Sequence, residues 1–374
     1  MPDSAVTLFL GGDVMLGRGV DQILPHPGDP TLWEPAIRDA RAYVELAEAA
    51  NGPIPRPVDP AWPWGDALAI LDRFAPVVRL VNLETSVTRS DDVEPGKAVH
   101  YRMSPDNVPA LAAARPDACA LANNHVLDFG DSGLVETLDV LNQAGIPAAG
   151  AGRDATEAAR PVLVPTDGGR VVVFSFGTPS SGVPTGWAAS PNRPGIALLP
   201  DLSDGTAAAI TARVSRVKRP GDLVVVSVHW GSNWGYAVAA DQVRFAHRLV
   251  DGGVDLIHGH SSHHPRPIEV YHGRLVLYGC GDLVDDYEGI AGYEQYRDDL
   301  RLLYLATLDT ATGGLTALRI VAMQAHRMRL QLAAPNDCEW LRRTLNRVSG
   351  RYGTRIALDR DGVLSLAQPL EPLR

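Results

Sequence analysis

The sequence predicts an α/β layered domain, and three observations carry that prediction. Short β-branched or apolar runs alternate with longer amphipathic segments, as strands alternating with helices do. The early apolar runs end in polar, chemically useful residues. Hydrophobic residues make up 45% and charged residues 21% of the chain, a globular balance that can bury a large core. At 374 residues the chain exceeds the usual single-domain size, yet α/β sandwiches and barrels reach that length with insertions. One domain over residues 1–334, with an insertion at about 22–65, is therefore expected, together with a helix-and-hairpin extension over 335–374 packed on it.

Strands are expected at Val6–Leu10, Val77–Leu83, Ala118–Ala122, Val171–Phe176, Leu223–His229, Val254–His258, Ile268–Tyr271, Leu275–Tyr278 and Leu302–Leu308. Leu134, Leu138 and Leu141 recur at helical spacing and give a helix over Gly133–Gln143. Further helices are expected at Thr206–Val217 and Asp241–Val250. Residues 315–332 read as one or two strands of a meander. A last helix, Cys338–Val348, follows Pro335 and precedes a hairpin around Asp359–Gly362. One stretch breaks this rhythm: between Pro25 and Trp64 nine prolines are interleaved with Trp33, Trp62 and Trp64. A stretch this long reads either as a functional lid that offers apolar contacts to a substrate or as a stiff surface cover packed by its own tryptophans.

The net charge of −10 and the lack of a basic stripe exclude nucleic acid as a partner. Cys119, Cys280 and Cys338 form no C-x-x-C pair and fit buried thiols in a reducing compartment. The N-terminus has no basic leader, and no run approaches the ~20 apolar residues of a bilayer span. A cytoplasmic protein with no membrane partner is expected.

Five strand ends carry the chemistry. Asp13 lies in a glycine-rich turn just past the first strand, where open α/β sheets place their ligands, and is a candidate metal ligand or base. Glu84 emerges at the equivalent place after the second strand. The third ends in Asn123-Asn124-His125, an amide and imidazole pair suited to a metal or a charged oxygen. The fully apolar run 223–228 ends in His229-Trp230, and a histidine there is costly unless partnered. The run His258-Gly259-His260-Ser261-Ser262-His263-His264 follows the next strand. Imidazoles with Asp, Glu and Asn suit a divalent Mn, Fe or Zn, whereas more carboxylate and water suit Ca. His258 and His264 read as structural, and His272 as a solvated turn residue. Asp282 reads as a partner that orients a histidine or as a solvated turn.

The segments GGDVMLGR (11–18), VNLETSVT (81–88), LANNHVLDFGDSGLVETLDVLNQAGI (121–146), VVSVHWG (225–231) and VDLIHGHSSHHPRPIEVYHGRLVLYGCGDLV (254–284) resemble the CapA, or poly-γ-glutamate capsule biosynthesis, family of calcineurin-like metallophosphoesterases. The resemblance implies an αββα sandwich of two mixed sheets flanked by helices. It implies metal ligands at Asp13, Glu84, Asn124, His229, His260 and His263, and the phosphoesterase acid at His125. Three departures weaken the case for a tight two-metal centre: Asp13 is followed by Val14-Met15 rather than by x-His, Asn82-Leu83-Glu84 replaces Gly-Asp, and Gly281-Asp282 stands where many members of the family read Gly-Asn.

The resemblance leaves three functions open: phosphoester hydrolysis, work on a poly-γ-glutamate polymer, and, from a soluble lasso-peptide branch of the family, epimerisation of a C-terminal tryptophan in a precursor peptide. The expectation is the epimerase. Its acid/base groups would be His125 and one of His229, His260 or His263, tuned by Asp13, Asp128 or Asp282. Its peptide would be held by Arg18, Trp64, Trp230 and Asp282.

Overall fold

The computed structural model describes residues 5–367. Strand parity builds its layers. In the strand Leu223–His229, Leu223 and Val225 enter one apolar cluster while Val224, Val226 and Val228 enter another, as a two-residue period requires when both faces are covered. Gly169–Gly177 divides in the same way, Val171 and Val173 against Val172, Phe174 and Phe176. In Ala5–Val14, Val6, Leu8 and Leu10 oppose Phe9.

The cluster shared by both sheets is the slab between them. The outer face of one sheet is covered by the helices Asp204–Val217 (Ile210, Val214) and Ala240–Asp251 (Phe245, Leu249). The other outer face is covered by Arg41–Asn51, Ala67–Phe74 and Gly130–Gln143, through Val44, Leu71 and Leu134. The result is the expected αββα sandwich.

Both sheets are mixed. In the ten-stranded sheet, Ala5–Val14 lies parallel to Val78–Leu83, which continues parallel to Ala118–Ala120, while Leu300–Asp309 pairs antiparallel on the other side. In the six-stranded sheet, Gly169–Gly177, Leu223–His229, Leu256–His260 and Arg274–Leu277 run parallel between antiparallel edges. The carboxyl ends of the parallel strands in both sheets carry Asp13, Glu84, Asn124, His229 and His260, the placement that the strand-end reading required.

Several boundaries differ from expectation for local reasons. The strand expected at Val254–His258 is Leu256–His260, because the amide of Val254 still closes on Leu249 of the preceding helix and Asp255 reaches across to Val224. His260 therefore sits inside the strand. The Pro/Trp stretch holds the helix Arg41–Asn51 and packs as a cover, with Ile54, Val58 and Trp64 in the core. Trp64, expected at a substrate, is fully buried and donates its indole N–H to the carbonyl of Ala110 at 2.7 Å. The helix Pro335–Ser349 inserts Cys338, Leu341 and Leu345 into the slab between the sheets. Residues 368–374 of the expected extension lie outside the described residues. Cys119, Cys280 and Cys338 are buried free thiols. Among the described residues, no helix is long and apolar enough to cross a membrane.

The end of the first strand tolerates no side chain at Gly12, where a Cβ would lie 1.7 Å from the carbonyl oxygen of Gly281. Gly12→Ala is expected to cost at least ~1–3 kcal/mol, the range for overpacking a tight interior. Urea denaturation of the chelated protein measures it, and an unchanged midpoint would show that these two chain segments do not set the site.

Candidate metal centre and acid/base dyad

The site begins with a hydrogen-bond relay that crosses from one sheet to the other. His258 Nε2 lies 2.9 Å from the carbonyl oxygen of Gly11, which can only accept. His258 therefore carries its proton on Nε2, and its Nδ1 must accept from Ser227 Oγ at 3.0 Å. Ser227, having donated, accepts from His260 Nε2 at 2.8 Å. That leaves Nδ1 of His260 as a bare lone pair.

On the neighbouring strand, in register with His260, His229 places Nε2 3.0 Å from Asn124 Oδ1 and Nδ1 2.8 Å from His260 Nδ1. If His229 donates to Asn124, as the amide is placed, two lone pairs face each other. A cation between them resolves that contact. Burial pushes both imidazoles well below their usual range, so both are neutral, the form that ligates.

Asp13 completes the cluster. A carboxylate oxygen of Asp13 lies within 4.8 Å of a ring nitrogen of His229 and of His260, and a second triad, Asp13–His263–Asp282, shares this residue. Asn82 donates to Asp13 Oδ1 at 2.8 Å and to Glu84 Oε2 at 2.9 Å, so one amide holds both carboxylates. Ser261 turns its N–H to Asp13 Oδ2 at 3.2 Å through a backbone φ of 100°, strain of the kind found at functional sites. Burial, and then Asp282, push Asp13 up to about 7, and burial with Asp13 pushes Glu84 well above the carboxylate range.

The second triad differs electrostatically. His263 Nδ1 pairs with Asp282 Oδ1 at 2.9 Å. Against burial, that pairing raises the imidazole and lowers the carboxyl. Asp282 Oδ2 is buried and makes no hydrogen bond among the described residues. The donors fit a cation: neutral imidazoles with bare nitrogens, crowded carboxylates that a positive charge would relieve, and an orphaned carboxylate oxygen. The two imidazoles of the first triad are ready to ligate, whereas Asp282 favours the protonated form of His263.

Beside the cluster stands a dyad. His125 Nδ1 lies 2.6 Å from Asp128 Oδ2, which also accepts the backbone N–H of Tyr101 at 2.7 Å. Lys97 closes on Asp128 Oδ1 and on the carbonyl of Asn124. Burial lowers His125 to about 4 despite Asp128. The ring is thus neutral, with its Nδ1 proton fixed on Asp128 and Nε2 free to accept, 3.9 Å from Glu84 Oε1.

The structure thus brings together Asp13, Glu84, Asn124, His125, Asp128, His229, His260, His263 and Asp282. It removes three residues expected at a substrate. Trp230 is fully buried and donates to the carbonyl of Tyr278 at 3.0 Å. Both faces of the Arg18 fork are taken by Asp286 (2.5 Å) and Glu34 (2.8 Å), with Tyr43 under its plane. Trp64 is in the core, as above. Asp282, also expected at the substrate, serves His263 instead. His264 lies against Tyr236 and Tyr296, and His272 is exposed in a turn. Sequence reading missed Asn82, Lys97 and Ser227 as positioning groups. Only Asn82 left a signal, as the departure in the second motif.

The bacterial capsule synthesis protein PGA_cap model matches residues 7–287. The chain is 56% identical to the probable polyglutamine synthesis accessory protein of Mycobacterium tuberculosis strain H37Rv, over 98% of this chain and 96% of the relative. It is 26% identical to the PGA biosynthesis protein CapA of Bacillus subtilis strain 168, over 81% of this chain and 68% of the relative. It is 25% identical to the capsule biosynthesis protein CapA of Bacillus anthracis, over 80% of this chain and 63% of the relative.

Two measurements test the centre. Ser227→Ala breaks the relay that fixes the His260 tautomer and is expected to weaken divalent-cation affinity about 10–100-fold without removing a ligand; competition against a chromogenic chelator reads this, and an unchanged affinity would sink the relay. Asp13 is mostly protonated below pH 7 and must lose that proton to ligate. Affinity should therefore fall as pH drops from 8 to 6, with more protons released on binding at pH 6. Titration calorimetry in two buffers of different ionisation enthalpy counts them.

Proposed function

Because the chain belongs to the bacterial capsule synthesis protein family PGA_cap, we propose that it is a metal-dependent hydrolase that serves the synthesis of a glutamate- or glutamine-based polymer and cleaves an amide bond in that chain. The polymer is suggested by what the relatives' names say of them, polyglutamine synthesis and PGA biosynthesis. The hydrolytic chemistry rests on one observation: the His125–Asp128 proton-transfer dyad, with Nε2 of its ring free to accept, stands beside a cluster of candidate cation ligands.

A divalent ion held by Asp13, His229 and His260 would supply Lewis-acid polarisation of the scissile carbonyl. Zn, Mn or Fe suits those ligands better than Ca. His125 begins neutral, so its first act is to take a proton at Nε2 from the attacking water. Asp128 holds Nδ1–H and stabilises the imidazolium that forms. As the C–N bond breaks, the same Nε2 hands the proton to the leaving amine. Lys97 fixes Asp128 and so the direction of the ring.

Inversion of a Cα, the reaction expected from sequence, needs two proton-transfer groups on opposite faces. Every ring nitrogen of His229, His260 and His263, the expected partners of His125, is turned to another of these rings, to Ser227, to Asn124, to Asp282 or to Asn233. The relatives' names point to polymer synthesis instead.

Metal-loaded protein is expected to shorten poly-γ-glutamate of defined length, followed by size-exclusion chromatography. Asp128→Asn should lower kcat about 10²–10⁴-fold with metal content unchanged. Phosphate release from an aryl phosphate without chain shortening would favour the phosphoesterase reading. Deuterium uptake at Cα from heavy water without cleavage would favour the epimerase.

A further inference from the structure

Behind the metal cluster lies a cavity of roughly 400 Å³, bounded by Thr178, Ser180, Leu202, Ser232, Gln242 and Arg266. Gly231 also borders it, so the segment His229-Trp230-Gly231 that ends its strand at the metal cluster forms one wall. Arg266 is 2% exposed, yet among the described residues no carboxylate pairs with it. Its Nη2 donates to the carbonyl and hydroxyl of Ser232 at 2.6 and 2.9 Å, its Nη1 reaches the carbonyl of Ala237 at 3.3 Å, and its Nε has no partner.

Gln242, 4% exposed, has an equally unpartnered Nε2. Gly231 packs against both side chains: a Cβ there would lie 2.9 Å from Gln242 Nε2 and 3.1 Å from Arg266 Nη1. A desolvated guanidinium without a counter-charge costs several kcal/mol. Burial lowers this one only to about 10, so it is charged at neutral pH. A cavity that presents an unpaired cation and a free amide donor is a carboxylate receptor in its chemistry.

The mouth is different. Asp201 and Asp241 line it and are exposed; Asp201 accepts from Ser203 and Thr206, and Asp241 from the N–H of Gln242. Negative charge at the rim disfavours a multiply charged anion and suits a ligand that carries an N–H or ammonium next to its carboxylate.

We propose that this cavity binds the α-carboxylate of a glutamyl unit through Arg266 and Gln242, with the nitrogen on the same Cα turned to Asp201 and Asp241. The choice of glutamate rests on the polymer proposed above. The site anchors the substrate chain on the far side of the 229–231 wall from the metal cluster.

Titration calorimetry of the metal-loaded protein with L-glutamate, glutarate and inorganic phosphate tests it. L-glutamate should bind, glutarate, which lacks the nitrogen, more weakly, and phosphate more weakly still. Arg266→Gln should weaken L-glutamate at least tenfold with metal content unchanged. Ala237→Trp, at the exposed rim, should block binding while leaving the Arg266 hydrogen bonds to Ser232 in place, which guards against misfolding of the first variant. No binding of L-glutamate by the wild type, binding that survives both substitutions, or a preference for phosphate would each overturn the proposal, whatever the polymer assay shows. Arg266-dependent binding of L-glutamate without chain shortening would support the cavity and overturn only the hydrolase reading.

Discussion

The hydrogen bond from His258 to the carbonyl of Gly11 ties the two sheets together where both end in ligand side chains. A carbonyl cannot donate, so this one contact fixes a proton, and the fixed proton propagates through Ser227 to His260. A ligand's tautomer is thus set by backbone three groups away. The same bond holds the strand that carries Asp13 against the strand that carries His260. Register within each sheet does the rest, pairing His229 with His260 and Asp13 with Asn82 and Asp282.

Charge is the opposing constraint. Asp13, Glu84 and Asp282 are crowded and almost fully buried, an arrangement that costs free energy unless protons or a cation neutralise it. The chain divides the load. Asn82 donates to two of the carboxylates, and His263 neutralises the third. Asp13 is left with burial and the Asp282 charge against it, which is why its carboxyl rises toward neutrality while Asp282 stays low. The site is built around a missing positive charge, and the two bare imidazole nitrogens face the same place.

Much of this was legible in the sequence because strand ends are local features. Asp13, Glu84, Asn124, His229 and His260 each follow an apolar run, and parallel sheets bring such positions to one edge. Residues that depend on loops were not legible. Lys97 reaches Asp128 from an irregular segment, and no periodicity announces it. Trp64 and Trp230 were misplaced because a tryptophan's size suits a binding surface and a core equally well; only the partners Ala110 and Tyr278 decide. Arg18 sits in a matching motif, but Glu34, from the proline-rich stretch, closes on it only in the folded chain.

The wall between the metal cluster and the Arg266 cavity is stiff for a definable reason. The carbonyl of His229 accepts the backbone N–H and the hydroxyl of Thr178 and the hydroxyl of Ser181, at 3.0, 3.1 and 2.9 Å. Trp230 is pinned by Tyr278 on one side and by the carbonyl of His260 on the other. Gly231 then turns at a φ of 82°, which a glycine adopts without strain. A candidate ligand histidine and a cavity wall belong to one over-determined segment, so a ligand in the cavity would be held at a fixed offset from the cluster. Fixed offsets of this kind convert binding energy into orientation at the reacting bond. Arg266, buried with no carboxylate partner among the described residues and set beside a candidate metal site, suits that use.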